Sequence, residues 1–228
     1  MKSPILFLAA ALLSALAHAA APAPDLDLSI AYYSRALTPE GVTRESRYEE
    51  TMLRRPGHVW VERVLPQTAA TKKNVVLKLE QHEHKEFNHV VIPRHVVLEK
   101  NKVRLEYIDA HDKQIIAIPA TEYENVNFDG SWANSFYLLN PQLVAAMPLS
   151  KQASSVAGAR WHEAEQNGIY QRVLWDEQRQ IALIIESGDK ANTFYRRVDV
   201  KPQASLSRTL PWSQVKGYGL KEYSDFLD

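Results

Sequence analysis

An Asn-Gly pair at residues 167 and 168 lies between two runs that alternate in the manner of β-strands. Asn-Gly is typical of a two-residue hairpin, because a type I′ turn needs a positive φ at both central residues. Polar residues at 176–180 and at 187–190 predict two further turns, and Pro202 ends the run because proline has no N–H to donate to a ladder. Residues 160–202 therefore predict four consecutive strands at the end of a curved antiparallel sheet.

The segments that precede this meander mostly favour strands as well. Helical spacing of Leu28, Ala31 and Tyr32 predicts a short amphipathic helix over 28–37, and Asn140-Pro141 predicts the start of a second helix. The fold class predicted is mainly β (α+β), a curved antiparallel sheet or unclosed barrel with a few short helices, in one domain over 28–209. Its other strands are predicted at 45–53, 58–65, 74–79, 90–98, 103–108 and 114–118.

The first 19 residues have the pattern of a secretory signal peptide. Lys2 supplies the positive charge, residues 5–16 are an apolar run too short to span a bilayer, and Ala17-His18-Ala19 is an A-x-A cleavage site. A Pro/Ala-rich lead-in over 20–27 follows. The chain has no cysteine, and a domain of this size needs no disulfide in an oxidising compartment. A periplasmic location is therefore predicted for the mature chain, with no transmembrane segment.

The charge balance and the motifs narrow the classes of function. The 27 basic and 27 acidic residues leave no basic excess, which argues against a nucleic-acid partner. The sequence contains no G-x-S-x-G elbow, no phosphate-binding loop and no G-x-G-x-x-G. We therefore predict a binding protein and not an enzyme, without a cofactor.

Two groups of residues resemble a known superfamily. One is the turn and aromatic strand Arg55-Pro56-Gly57-His58-Val59-Trp60. The other is the end of the meander, Leu174-Trp175-Asp176, then Ile181-Ala182-Leu183 and Glu186-Ser187-Gly188-Asp189. In this order they resemble the periplasmic lipoprotein-carrier and envelope-stress sensor superfamily (LolA-like and RseB-like proteins). The resemblance implies an unclosed β-barrel whose concave apolar face binds acyl chains or lipoproteins, as in the sorting of outer-membrane lipoproteins. Residues 210–228 match nothing in that pattern.

Aromatic residues on separate predicted elements are the candidates for a lipid-binding cavity. The alternative is ordinary core packing, because aromatic side chains dominate burial in any fold. The candidates are Trp60, Tyr123, Phe128, Trp132, Phe136, Trp161 and Trp175.

A histidine-rich segment predicts a second possible function. His82 and His84 would share one face of a strand, and His89 would complete a copper or zinc site. The alternative is an exposed strand end that is rich in histidine by chance.

Two other features have an open interpretation. The aromatic C-terminal tail, residues 210–228, is predicted to dock on an envelope protein, as part of a sensor or assembly factor. Arg54 and Arg55 are interpreted either as contacts to anionic head groups or, preferably, as solvated residues on a strand face.

Overall fold

In the part of the chain that the structure describes, eleven β-strands form one sheet whose two edge strands do not pair with each other. The computed structural model describes residues 22–66 and 87–226. The strands are β1 (Leu26–Leu37), β2 (Thr43–Arg55), β3 (His58–Arg63), β4 (Arg94–Glu99), β5 (Lys102–Asp109), β6 (Gln114–Ile118), β7 (Ala159–Gln166), β8 (Ile169–Asp176), β9 (Ile181–Asp189), β10 (Phe194–Pro202) and β11 (Gly219–Glu222). Their order is β11-β6-β5-β4-β3-β2-β1-β10-β9-β8-β7, and only the β11–β6 pair is parallel. The predicted mainly-β, unclosed antiparallel sheet is confirmed.

Two meanders make up this sheet, and they join where β1 pairs with β10. The connection from β6 to β7 contains the short helices α1 (Trp132–Tyr137) and α2 (Pro141–Ala146). Asn140 caps α2 as predicted, since its side chain accepts a hydrogen bond from the Gln142 N–H at 2.9 Å. We call residues 120–146 the crossover segment, because they carry the chain from one meander to the other.

The predicted hairpins of the second meander are largely confirmed. Asn167 and Gly168 have φ values of 53° and 76°, and they join Gln166 directly to Ile169 in the ladder between β7 and β8. The polar turn between Asp176 and Ile181 is also present. A β-bulge between Leu174 and Trp175 shifts the register of β8 and bends the sheet.

Two predictions about local structure were wrong. Residues 28–37 form β1 and not a helix, because Leu26, Leu28 and Ile30 alternate into the core while the strand pairs with β2 and β10. The helical spacing was coincidental, and tertiary pairing decided the outcome. The turn expected at 187–190 lies later, because β9 runs through Asp189. Gly188 instead lies opposite Tyr170, where a side chain would meet the tyrosine hydroxyl.

The predicted signal peptide and the predicted strand at 74–79 lie outside the described residues.

The main core lies on the face of the sheet that we call the inner face. Alternating residues of β1 to β6 point there, and aromatic residues of the crossover segment cover them. The sheet contributes, among others, Leu28, Met52, Val59, Val96, Leu105 and Ile118 to this cluster.

A fully buried arginine on β2 holds several of these parts together. The Arg54 guanidinium donates to backbone carbonyls of three segments: Pro24 at 2.9 and 3.2 Å, Phe136 at 3.4 Å, and the β8–β9 turn at 2.6 and 3.0 Å. Its charge also lies over the Phe136 ring, 4.8 Å from the centroid. Burial lowers the pKa of Arg54 to about 10, so the side chain stays charged at neutral pH.

Arg55 is buried as well and faces the opposite side. It forms an ion pair with Asp27 at 2.7 Å and donates to the Leu26 carbonyl at 3.0 Å. The interpretation of both arginines as solvated was therefore wrong, because each satisfies its guanidinium inside the fold.

Replacing Arg54 by Met should lower the free energy of unfolding by about 3 kcal/mol or more, because the substitution leaves buried carbonyls of three segments without a donor. Urea denaturation measures this change. Arg196→Met on the exposed part of β10 is the matched control and should change stability by about 0.5 kcal/mol or less. Equal losses in the two variants would contradict the role given to Arg54.

The C-terminal segment packs on the sheet. Helix α3 (Pro211–Gln214) places Trp212 parallel to the rings of His58 and His95, with centroid distances of 4.9 and 5.5 Å. β11 then extends the sheet beside β6, and Tyr223 enters the main core. These contacts use the tail within the fold, and its docking on an envelope protein stays a prediction.

The histidines under Trp212 form a connected polar group. Nδ1 of His58 lies 3.0 Å from Nε2 of His95, and Nδ1 of His95 lies 3.3 Å from the Glu106 carboxylate. Burial, with the charges of His95 and Arg104, holds the pKa of His58 below its ordinary value. Burial alone would raise the pKa of Glu106, but the hydrogen bond from His95 and the charge of Arg104 outweigh it and hold that pKa low.

Acidification should destabilise the fold through His58. Since its pKa is lowered on folding, the unfolded chain takes up this proton first, and stability present above about pH 6.5 is lost as the pH falls toward the lower pKa of the folded state. Denaturation at about pH 7.5 and pH 5.5 should show a smaller pH dependence in His58→Gln than in the wild type. His111→Gln, on an exposed turn, is the control; the same reduction there would contradict the assignment to His58.

Candidate functional site

The inner face changes from apolar to polar along the strands of the first meander. One row across the sheet runs from Leu28 through Met52 and Val61 to Arg94 and Tyr107. The next rows, toward the β1–β2 turn, place Ile30 beside Glu50 and Arg63, and then Tyr32 beside Tyr48. The crossover segment packs on the apolar rows, and the polar rows lie beside it.

A cavity of about 360 Å³ lies over these polar rows. Its size is at the small end of the range of small-molecule sites. The residues that line it are Tyr32, Tyr48, Glu50, Val61, Arg63, His89, Val90, Ile92, Arg94, Tyr107, Val126 and Asn127. Strands β1 to β5, the 87–93 segment and the crossover segment thus all contribute to one site.

Glu50 lies at the centre of the polar part. Its carboxylate lies 3.7 Å from the Arg63 guanidinium, and it hydrogen-bonds to the Tyr32 side chain. The Tyr32 and Tyr48 rings are stacked with centroids 4.4 Å apart, and the Arg63 guanidinium carbon lies 3.4 Å from the Tyr48 ring centroid. These contacts fix the side chains at one end of the cavity.

Arg94 is less completely satisfied. Its guanidinium hydrogen-bonds to Tyr107, yet its buried Nε has no hydrogen-bond partner among the described residues. Burial raises the pKa of Tyr32 far above its ordinary value, with a further contribution from Glu50, and burial also raises the pKa of Tyr48 and Tyr107. The three hydroxyl groups therefore stay protonated at neutral pH; Tyr32 donates its proton to Glu50, and Tyr48 and Tyr107 retain theirs as donors.

A second groove, of about 690 Å³, adjoins this cavity and shares Tyr32, Tyr48 and Arg63 with it. Val64, Leu65 and Pro66, which follow β3, give the groove much of its apolar surface.

Five of the seven aromatic residues predicted to bind a ligand lie in the main core. Tyr123 and Phe128 pack edge to face at 4.8 Å, Trp132 and Phe136 lie 5.0 Å apart, and Trp161 belongs to the same cluster. They cover the apolar rows of the inner face beside the cavity. The neighbouring residues Val126 and Asn127 line the cavity, and these five do not appear in its lining.

The other two aromatic candidates lie apart from this cluster. Trp60 points to the opposite face, where it contacts His95 and Trp212. Trp175 packs in a smaller cluster with Val144, Val173 and Ala182. The structure does not bring the seven residues together, and their part in ligand binding stays a prediction.

Of the three predicted metal ligands, only His89 is described. It lines the cavity beside Tyr107, whereas His82 and His84 lie outside the described residues. Within the described part of the chain, one exposed group, Asp109, His111 and Asp112, has a spacing that suits a metal ion. The Asp109 carboxylate there accepts hydrogen bonds from the backbone of residues 111 and 112, which is ordinary turn geometry.

The polar residues that define the cavity are not among the site residues predicted from the sequence. The sequence does contain a signal for them, because side chains two residues apart on a strand point to the same face of the sheet. Glu50, Arg63 and Tyr32 lie two residues from Met52, Val61 and Ile30, which face the core. These residues come together only through the register between β1 and β2, which a helix over 28–37 would not form.

Comparisons with known proteins find similarity in structure but not in sequence. No protein-family model matches the chain, and no curated protein matches it either. Twenty-six solved chains match. One is PNGF-II, with a TM-score of 0.37 and 8% identity, covering 89% of this chain and 33% of that one; this chain thus spans about a third of its length.

Two other matches belong to the kind of protein that the sequence resembles. A LolA superfamily protein from Nitrosomonas europaea has a TM-score of 0.34 and 9% identity, covering 84% of this chain and 92% of that one. A putative outer membrane lipoprotein-sorting protein domain from Vibrio parahaemolyticus has a TM-score of 0.28 and 10% identity, covering 80% and 87%. Since these TM-scores are low, function has to be inferred from the site itself.

Proposed function

We propose that this protein is a binding protein that holds the alkyl chain of an amphiphilic molecule, such as a lipid or the acyl chain of a lipoprotein, in the inner-face cavity. The observation that carries the proposal is the cavity itself, which is formed where the crossover segment stops covering the sheet. Val61, Ile92 and Val126 give it an apolar wall, and three tyrosines give it a polar one. Such a lining suits a molecule with one apolar and one polar end.

Burial of an alkyl chain supplies enough free energy for this role. Each CH₂ group removed from water contributes about 0.8 kcal/mol, so burial of about ten carbons contributes about 8 kcal/mol, within the range of about 4–15 kcal/mol that association costs. Binding of this kind needs no catalytic group.

The proposed location is the periplasm, reached through a signal peptide cleaved after Ala19. Lys2, the apolar run at 5–16 and the A-x-A site at 17–19 support it. In the described part of the chain, no helix is both long and apolar enough to cross a membrane.

Isothermal titration with a series of 1-alkanols, from hexanol to decanol, tests the proposal independently of any charged head group. Each added pair of CH₂ groups should tighten the Kd about tenfold until the chain fills the cavity. Val90→Trp should weaken binding at every chain length, because Val90 lines the cavity and is exposed enough to accept a larger ring.

Val42→Trp is the matched control, since Val42 is an exposed valine at the β1–β2 turn and not among the residues lining the cavity. It should bind the alkanols as the wild type does. A Kd that does not depend on chain length, or that is equal in the two tryptophan variants, would contradict the proposal.

A further inference from the structure

We infer that the amphiphile carries an oxyanion head group, a carboxylate or a phosphate, which binds between Arg94 and Arg63 in the inner-face cavity. This inference rests on the proposed function and specifies the ligand of the same site.

The charges that line the cavity do not balance. Two guanidinium groups, of Arg63 and Arg94, face it with one carboxylate, that of Glu50. The described lining therefore has a net positive charge, which attracts an anion and repels a cationic head group.

Glu50 is already engaged. It lies 3.7 Å from Arg63 and accepts a hydrogen bond from Tyr32. No described carboxylate forms an ion pair with Arg94, and the buried Nε of Arg94 lacks a partner among the described residues. A buried Nε–H in this condition costs stability, because a polar group taken from water without a partner keeps its desolvation penalty. A bound oxyanion would supply the missing acceptor.

The tyrosines add donors to the same place. Tyr107 lies directly opposite Arg94 in the β4–β5 ladder, and Tyr32 and Tyr48 line the same cavity. A carboxylate or phosphate oxygen that reaches Arg94 therefore lies near protonated hydroxyl groups as well. Charge-assisted hydrogen bonds of this kind are stronger than those between neutral groups.

The position of this group on the sheet sets the direction of the ligand. Arg94 and Tyr107 share a row with Val61, which faces the apolar side of the cavity. A head group at Arg94 therefore leaves the alkyl chain beside Val61, Ile92 and Val126. The same geometry accepts a fatty acid or a lipid phosphate, since both have an oxyanion at the end of an apolar chain.

The test compares four ten-carbon ligands at one ionic strength: decanoate, decyl phosphate, 1-decanol and decyltrimethylammonium, each below its micelle concentration. Decanoate and decyl phosphate should bind the wild type about tenfold or more tightly than decanol, and the cation should bind most weakly. Arg94→Gln should weaken binding of the two anions about tenfold more than it weakens binding of decanol, whereas Arg94→Lys should retain part of the preference.

Arg196→Gln is the control, because Arg196 is exposed on β10 and is not among the residues that line the cavity; its preference should equal that of the wild type. If Arg94→Gln does not fold, Arg63→Gln provides the same comparison. Equal affinities for the four ligands would contradict the inference that the ligand has an oxyanion head group, but would remain consistent with binding of an alkyl chain. Acetate or inorganic phosphate binding as tightly as decanoate, or no binding of any alkyl ligand, would overturn both.

Discussion

The buried guanidinium of Arg54 is the interaction on which the arrangement of the molecule depends. The second meander and the crossover segment are joined to the first meander by few strand pairs, and Arg54 connects them through their backbone carbonyls. Carbonyl acceptors offset the desolvation of the cation without a carboxylate. Because Phe136 is one of the groups it holds, Arg54 also fixes where the crossover segment lies on the inner face, and hence where the cavity begins.

The inner face is divided between packing and binding. Tyr123, Phe128, Trp132 and Phe136 fill the apolar rows, where aromatic contact stabilises the fold. The neighbouring rows contain Glu50, Arg63, Arg94 and three tyrosines. These side chains line the cavity and are not packed under the aromatic residues of the crossover segment. Arg94, whose buried Nε has no hydrogen-bond partner among the described residues, lies in the lining of the cavity beside this core. That placement is the physical reason for assigning the site to an amphiphile and not to a purely apolar chain.

The sequence predicted most of the fold, because hairpin signals are local. Asn167-Gly168, Pro56-Gly57 and Asn140-Pro141 each require particular backbone angles, and the structure has turns or caps at all three. Residues 28–37 were mistaken for a helix, since their pairing with β10 comes from more than 150 residues away. The site was not predictable for the same reason. Glu50, Arg63 and Arg94 become neighbours only through the register of three strands, and nothing in their local sequence sets them apart from surface charges.

The most direct measurement is a crystal structure of the protein with ω-bromodecanoate, whose bromine marks the end of the alkyl chain by anomalous scattering. We expect a carboxylate within hydrogen-bond distance of Arg94 and a bromine peak on the apolar side of the cavity. A bromine peak beneath the crossover segment, among Trp132, Phe136 and Trp161, with Arg94 unoccupied, would contradict this expectation and restore the aromatic cluster as the binding site.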